Sequence, residues 1–220
     1  MNFSEKTAQL GATGVYSSED PEGFMAIYES DCAAAIWERA PLRSFQSWID
    51  SLPAENLPKT RTILRPERVR EALQDLVELC GTPDCPEREM LVDDVAALAA
   101  IFADVMQTPY VRLRLDVITT NACRKFHIDA LTARLVCTYR GTGTQYGNSS
   151  NLADPDQYYT VPSGSPVILR GTRWPISGTQ DALVHRSPPI EGTGETRLLL
   201  VLDSVTDLEA EPVSGHATIH

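Results

Sequence analysis

Long apolar runs, lysine and histidine are scarce in this 220-residue sequence, and each scarcity narrows what it can be. No stretch approaches the roughly 20 apolar residues of a membrane-spanning helix, and Met1 to Lys6 has no apolar run behind a basic region. Such a chain is expected in a reducing cytoplasm, without membrane attachment. Lysine is nearly absent, so arginine supplies most of the cationic groups. The net charge of -11 argues against nucleic acid as a partner, because phosphate contacts need Lys and Arg in excess. Five cysteines in unpatterned positions make no disulfide framework, and Cys80 and Cys85 are spaced too widely for a redox pair and lack a second ligand pair for a zinc knuckle. Cys123 and Cys137 read as buried strand residues. The apolar content of 42% and charged content of 22% are those of a globular chain, long enough for one sizeable core.

The histidine census singles out a site. Of four histidines two fall in the last five residues, His216 and His220, which leaves His127 and His185. In a strand, residues i and i+2 share a face, so His127 and Asp129 can reach one ion while a second strand supplies His185. Two neutral nitrogens and one carboxylate oxygen on one face of an octahedral ion leave the opposite positions open, the donor set of a non-haem iron(II) site. Each histidine taken singly is equally an ordinary hydrogen-bonded strand residue.

Along the chain, residues 1–20 read as a tail, 21–108 as an N-terminal helical layer, 109–206 as the metal-binding core and 207–220 as a second tail. Within the helical layer, Phe24–Tyr28 reads as a short strand, and Asp31 as the cap of a helix running from Cys32 to Arg39, before Pro41. Helical spacing recurs over 42–52, with Trp37 and Trp48 as core residues. A strand or an extended lead-in at Thr60–Leu64 precedes a helix from Pro66 to Cys80 and a strongly apolar one from Pro86 to Met106, which should pack on a sheet. Tyr110–Ile118 alternates strictly, so Val111, Leu113, Leu115 and Val117 are expected against the helices and Arg112, Arg114 and Asp116 inside the barrel. There the arginines either neutralise Asp116 and its neighbours or receive an acidic ligand. The strand Ala133–Tyr139 puts Leu135, Cys137 and Tyr139 on one face, and Tyr139 is either a plain strand aromatic or a hydroxyl reaching a cosubstrate carboxylate. Residues 141–156 read as a long polar loop of the kind that is often functional. Strands are expected at 157–161, 166–169, 182–186 and 197–204, with Trp174 lining a pocket or packing an edge. So many short strands favour a sandwich or barrel in an α+β chain.

His127-Ile128-Asp129, the strand Ala133–Tyr139, Gly164–Leu169, His185-Arg186-Ser187-Pro188-Pro189 and Thr196–Asp203, in that order, resemble the Fe(II)/2-oxoglutarate-dependent oxygenases, the prolyl-hydroxylase-like branch above all, over residues 109–206. The resemblance implies a double-stranded β-helix (jelly-roll) core. It also implies iron on His127, Asp129 and His185, with no catalytic residue beyond the metal site. The 2-oxoglutarate would sit in the open positions with Arg197 on its far carboxylate, for hydroxylation of a small-molecule or protein substrate. Two features depart from the pattern: the loop between His185 and Arg197 is longer than usual, and Leu199 replaces a small polar residue, so that Arg197 is alternatively a strand-end ion-pair residue. Most of the chain is also similar to a bacterial family of uncharacterised proteins, a domain of unknown function whose genes lie near zinc-homeostasis genes. That second resemblance implies an alternative, a non-catalytic zinc- or iron-binding protein of metal homeostasis on the same scaffold. A cupin-like isomerase, or a dioxygenase that uses no 2-oxoglutarate, is the further alternative.

Overall fold

Strict alternation in Tyr110–Ile118 builds the strand around which two layers of core are laid. The computed structural model describes residues 12–150, 152–175 and 182–208. Among the described residues ten strands form two sheets: β1 (Val15–Ser18), β2 (Ala34–Trp37), β3 (Thr60–Leu64), β4 (Tyr110–Ile118), β5 (Ala133–Arg140), β6 (Gln145–Ser149), β7 (Tyr159–Thr160), β8 (Val167–Arg170), β9 (Ala182–Arg186) and β10 (Arg197–Val205). The large sheet has the order β1-β2-β8-β5-β10-β4-β3, and the small one β7-β6-β9. Every pairing is antiparallel except β1 with β2. Three α-helices, α1 (Arg43–Ser51), α2 (Val69–Leu79) and α3 (Pro86–Met106), join these strands.

Period-two alternation sorts the large sheet's side chains into two cores. Val111, Leu113, Leu115, Leu135, Cys137, Leu198, Leu200 and Leu202 pack with Phe45, Ile49, Leu73, Val95, Leu98 and Phe102 of the helices. Their strand neighbours Val136, Leu199 and Val201 pack instead with Ile36, Val167, Tyr146 and Leu183, between the two sheets. The apolar face of β4 therefore meets the helices, as its alternation predicts. Trp37 and Trp48 pack against the helix-side core while remaining partly exposed. Among the described residues no helix is long and apolar enough to cross a membrane.

Several local expectations are overturned. The helix expected from Cys32 to Arg39 is strand β2, because Ala34 and Ile36 face one core and Ala35 the other, and ladders to β1 and β8 outweigh alanine's helix preference. Phe24–Tyr28 lies in a 3-10 helix, Pro21–Tyr28, which buries Phe24 and Ile27 three residues apart instead of alternating them. In the stretch expected to be a tail, Val15–Ser18 forms β1, while residues 1–11 lie outside the described residues. Within residues 21–108, β2 joins the sheet, as does β3 at the expected Thr60–Leu64, so helices and sheet share one core. Residues 141–156 are not one loop, since β6 within them forms the centre of the small sheet. Of the second expected tail, residues 209–220 with His216 and His220 lie outside the described residues.

Candidate metal centre

His127 and His185 meet through their backbones. The His127 N–H donates to the His185 carbonyl at 3.0 Å and the His185 N–H to the His127 carbonyl at 2.9 Å, a single bridge that adds one more segment beside β9. Directly opposed antiparallel residues share a face, and the two rings stand 4.6 Å apart. Asp129 follows two residues later and brings Oδ2 to 3.2 Å from His185 Nε2 and Oδ1 to 3.7 Å from His127 Nε2. One ligand atom from each of the three lies within 4.8 Å of the others. The expected strand around His127 shrinks to this bridge.

The donor atoms are set for a cation. His127 Nδ1 lies 2.8 Å from the Lys125 carbonyl, and since a carbonyl only accepts, Nδ1 carries the proton and Nε2 presents its lone pair. Arg134 Nη1 donates to Asp129 Oδ1 at 2.7 Å, while Asp129 Oδ2 is buried without a hydrogen-bond partner. An orphaned carboxylate oxygen is costly unless a cation meets it. Burial pushes the Asp129 carboxyl up, but the His127 and His185 rings beside it and the charge of Arg134 prevail and hold it well below the usual carboxylate range. The neighbouring Asp129 carboxylate raises the pKa of His127, whereas burial lowers that of His185, which is 6% exposed. Two neutral nitrogens and one monodentate carboxylate fit a divalent iron of the facial-triad kind, with room for further ligands.

Arg134 is the functional residue that sequence reasoning missed. Besides Asp129 it grips Asp203, with Nε 2.6 Å from Oδ1 and Nη2 3.0 Å from Oδ2. Its only sequence signal is an arginine inside an otherwise apolar strand. Arg112 and Arg114 each come to 3.9 Å from Asp203 Oδ2, so the aspartate they face first is Asp203 and not Asp116.

Arg197 is 0% exposed. Its Nε donates to the Thr142 carbonyl at 2.6 Å and Nη2 reaches Thr138 Oγ1 at 3.4 Å, while Nη1 has no partner. Burial pushes its pKa down to about 10, against the pull of Glu195. Among the described residues Arg197 makes no ion pair, and Glu195 turns to the Thr142 N–H and hydroxyl instead. Tyr139 is a correction. It shares the helix-facing side of β5 with Leu135 and Cys137, its hydroxyl donates to Asp94 Oδ2 at 2.6 Å, and its ring packs on Phe45, so it is no cosubstrate ligand. The small sheet instead aligns Tyr146 with His185, and Tyr146 is buried between the sheets. Cys123 is exposed, not buried. Trp174 packs at the helix-side core against Tyr28 and Arg170.

A family model described as "Protein of unknown function (DUF1826)" matches residues 18–203. No curated protein matches the chain. Among solved structures, the chain is similar to dioxygenase for auxin oxidation 1 from Arabidopsis thaliana, in a binary complex with 2-oxoglutarate. The identity is 10%, the coverage 90% of this chain and 94% of that one, and the TM-score 0.52. For the rice dioxygenase for auxin oxidation the values are 11%, 89%, 83% and 0.47. For an oxidoreductase of the 2OG-Fe(II) oxygenase family from Burkholderia pseudomallei they are 14%, 85%, 93% and 0.41. The first likeness establishes a shared fold. None of these comparisons supports the zinc alternative.

Proposed function

Because the chain belongs to the family described as "Protein of unknown function (DUF1826)", which carries no reaction with it, we propose from the site itself that this is a non-haem Fe(II)/2-oxoglutarate-dependent oxygenase, a hydroxylase. The carrying observation is the convergence of His127, Asp129 and His185 around the unpartnered Asp129 Oδ2. The strand orders support a double-stranded β-helix, or jelly roll. With the His127 segment added, the small sheet runs β7-β6-β9-127 opposite β8-β5-β10-β4 of the large one. Five free cysteines support a reducing, cytoplasmic setting.

Bound iron would supply activation of dioxygen at the expense of 2-oxoglutarate, and the protein's part is to position groups and exclude water. His127, with Nδ1 tied to Lys125, and His185, kept neutral by burial, hold their Nε2 atoms toward the metal position. Arg134 occupies Asp129 Oδ1 and leaves Oδ2 as a single anionic ligand. Arg197 Nη1, buried and unpaired, is a ready donor to a carboxylate. Thr138 beside it lies four residues along β5 from Arg134, roughly 13 Å at strand spacing. A small dicarboxylate would lie between these two points, with one end at the metal and the other on Arg197. Val136, Leu199 and Val201 line the way and keep it apolar.

Anaerobic addition of Fe(II) and 2-oxoglutarate is expected to give a metal-to-ligand charge-transfer absorption. Arg197→Met should lower 2-oxoglutarate affinity at least about tenfold, the scale of one charge-assisted pair, while iron binding persists. Tight metal binding with no such absorption would replace the proposal by a non-catalytic metal-handling role. Turnover indifferent to Arg197→Met would point to a dioxygenase that uses no 2-oxoglutarate.

A further inference from the structure

The inter-sheet face of the large sheet carries positive charge that the metal ligands do not use. In antiparallel register, opposed residues share a face. One row across β4, β10 and β5 therefore reads Arg112, Asp203, Arg134, and the row beside it across β3, β4 and β10 reads Arg61, Arg114, Val201. Asp203 gives both of its oxygens to Arg134. Arg114 Nη2 is left 3.9 Å from Asp203 Oδ2, beyond hydrogen-bond range. Among the described residues Arg114 makes no hydrogen bond, and its buried Nε has no partner. Arg61, next to it in register, is exposed and makes no ion pair among the described residues. Burial first, then the charges of Arg134 and Arg61, push the pKa of Arg114 down, while Asp203 and Asp116 pull the other way. Two adjacent guanidiniums with unspent donors, in a chain of net charge -11, are complementary to an anion.

The contacts also place this pair. Asp129 meets Arg134, Arg134 meets Asp203, and Asp203 faces Arg114, so Arg114 stands at the metal end of the sheet, with Arg61 beside it in register. Arg114 pairs with Val201, four residues along β10 from Arg197, which separates it from the donor assigned to 2-oxoglutarate.

We propose that Arg114, flanked by Arg61, forms an anion-binding subsite beside the metal centre, and that the molecule acted on docks there through a carboxylate or phosphate group. Calling that molecule a substrate rests on the oxygenase reading, whereas the subsite does not. Phenyl phosphate and benzoate, titrated by calorimetry into the Mn(II)-loaded full chain with and without 2-oxoglutarate, test it, with benzamide as the neutral control. Manganese also shortens the relaxation of ring protons bound close by. Binding of at least one anion in preference to benzamide is expected, with enhanced relaxation, and the tighter of the two identifies the group. Arg114→Gln should weaken that binding about tenfold or more, and Arg114→Lys should restore part of it. If Arg114→Gln does not fold, the exposed Arg61→Gln should still weaken anion binding by about threefold. Anions bound no better than benzamide, or bound equally by the variants, overturn the proposal. So does an equal loss of manganese affinity, which would mark general damage to the site. Failure of 2-oxoglutarate to bind, with Arg114-dependent anion binding intact, would sink the oxygenase reading alone.

Discussion

With one guanidinium hydrogen-bonded to both Asp129 and Asp203, Arg134 neutralises a carboxylate that is almost wholly buried and orients another that faces the metal position. Breaking a buried pair by removing one partner leaves an uncompensated charge, so Arg134→Met should lower the unfolding free energy by about 3–5 kcal/mol. It should also weaken metal binding about 10- to 100-fold, since groups that hold a ligand in place tune it. Urea denaturation and competition with a chelator measure the two effects. Unchanged metal affinity would reduce Arg134 to a structural role. At this scale the group of three that converges was legible in the sequence, because only two histidines lie outside the last five residues and His127 has a carboxylate two residues on. Arg134 was not, because an arginine in a strand reads as a solvent-facing residue until Asp203, 69 positions later, is seen beside it. Tyr139 was misplaced for a related reason. Alternation shows which residues share its face but not which core that face meets.

Elements hold the ligands through backbone contacts that no side-chain pattern announces. The segment bearing Asp129 is pinned beside β8: the Thr172 N–H donates to the Asp129 carbonyl at 2.9 Å, and the Gly171 N–H to Thr132 at 2.8 Å. A Cβ on Gly171 would stand 2.0 Å from the Leu131 carbonyl oxygen and 2.7 Å from that of Asp129, both backbone atoms. Gly171→Ala must therefore push this segment away. The expected cost is about 1–3 kcal/mol of stability, as for other overpacked positions, together with a loss of metal affinity in a chelator titration. A variant that loses stability but binds metal as before would show that Asp129 is placed from elsewhere. The long elements β4, α3 and β10 could be read directly because their periodicity runs over many residues. The short ones could not: β2 is a run of alanines flanked by helix signals, and β6 hides among glycine, serine and asparagine. Both are strands only because long-range ladders complete them.

At the scale of the molecule, the sheet separates the side proposed to bind from a side packed against the helices. The inter-sheet side carries the candidate metal ligands and Arg197. The helix side carries Cys32, Cys137 and Tyr139, all within one apolar core and none near the proposed chemistry. This division was half legible, since α3 was too apolar to lie anywhere but on a sheet, but nothing in the sequence said that residues 15–18 and 34–37 would widen that sheet. It makes alkaline pH a probe of the helix side. Burial pushes both the Cys32 and Cys137 thiols up to about 12 and holds the Tyr139 hydroxyl well above its usual 10. The unfolded chain begins to release thiol protons near pH 9.0, while the folded chain keeps them. Above that pH the unfolded state binds fewer protons, so the slope of stability against pH is negative. The contribution of these groups is fully present below pH 9.0 and is lost as pH rises toward about 12, with Tyr139 joining from 10. Urea midpoints measured across this window should fall steadily in the reduced protein. Cys32→Ala combined with Cys137→Ala should flatten the fall, whatever it does to stability at neutral pH. A slope the same in both proteins would mean that these thiols meet water in the folded state, and with it that the helices do not seal this face of the sheet.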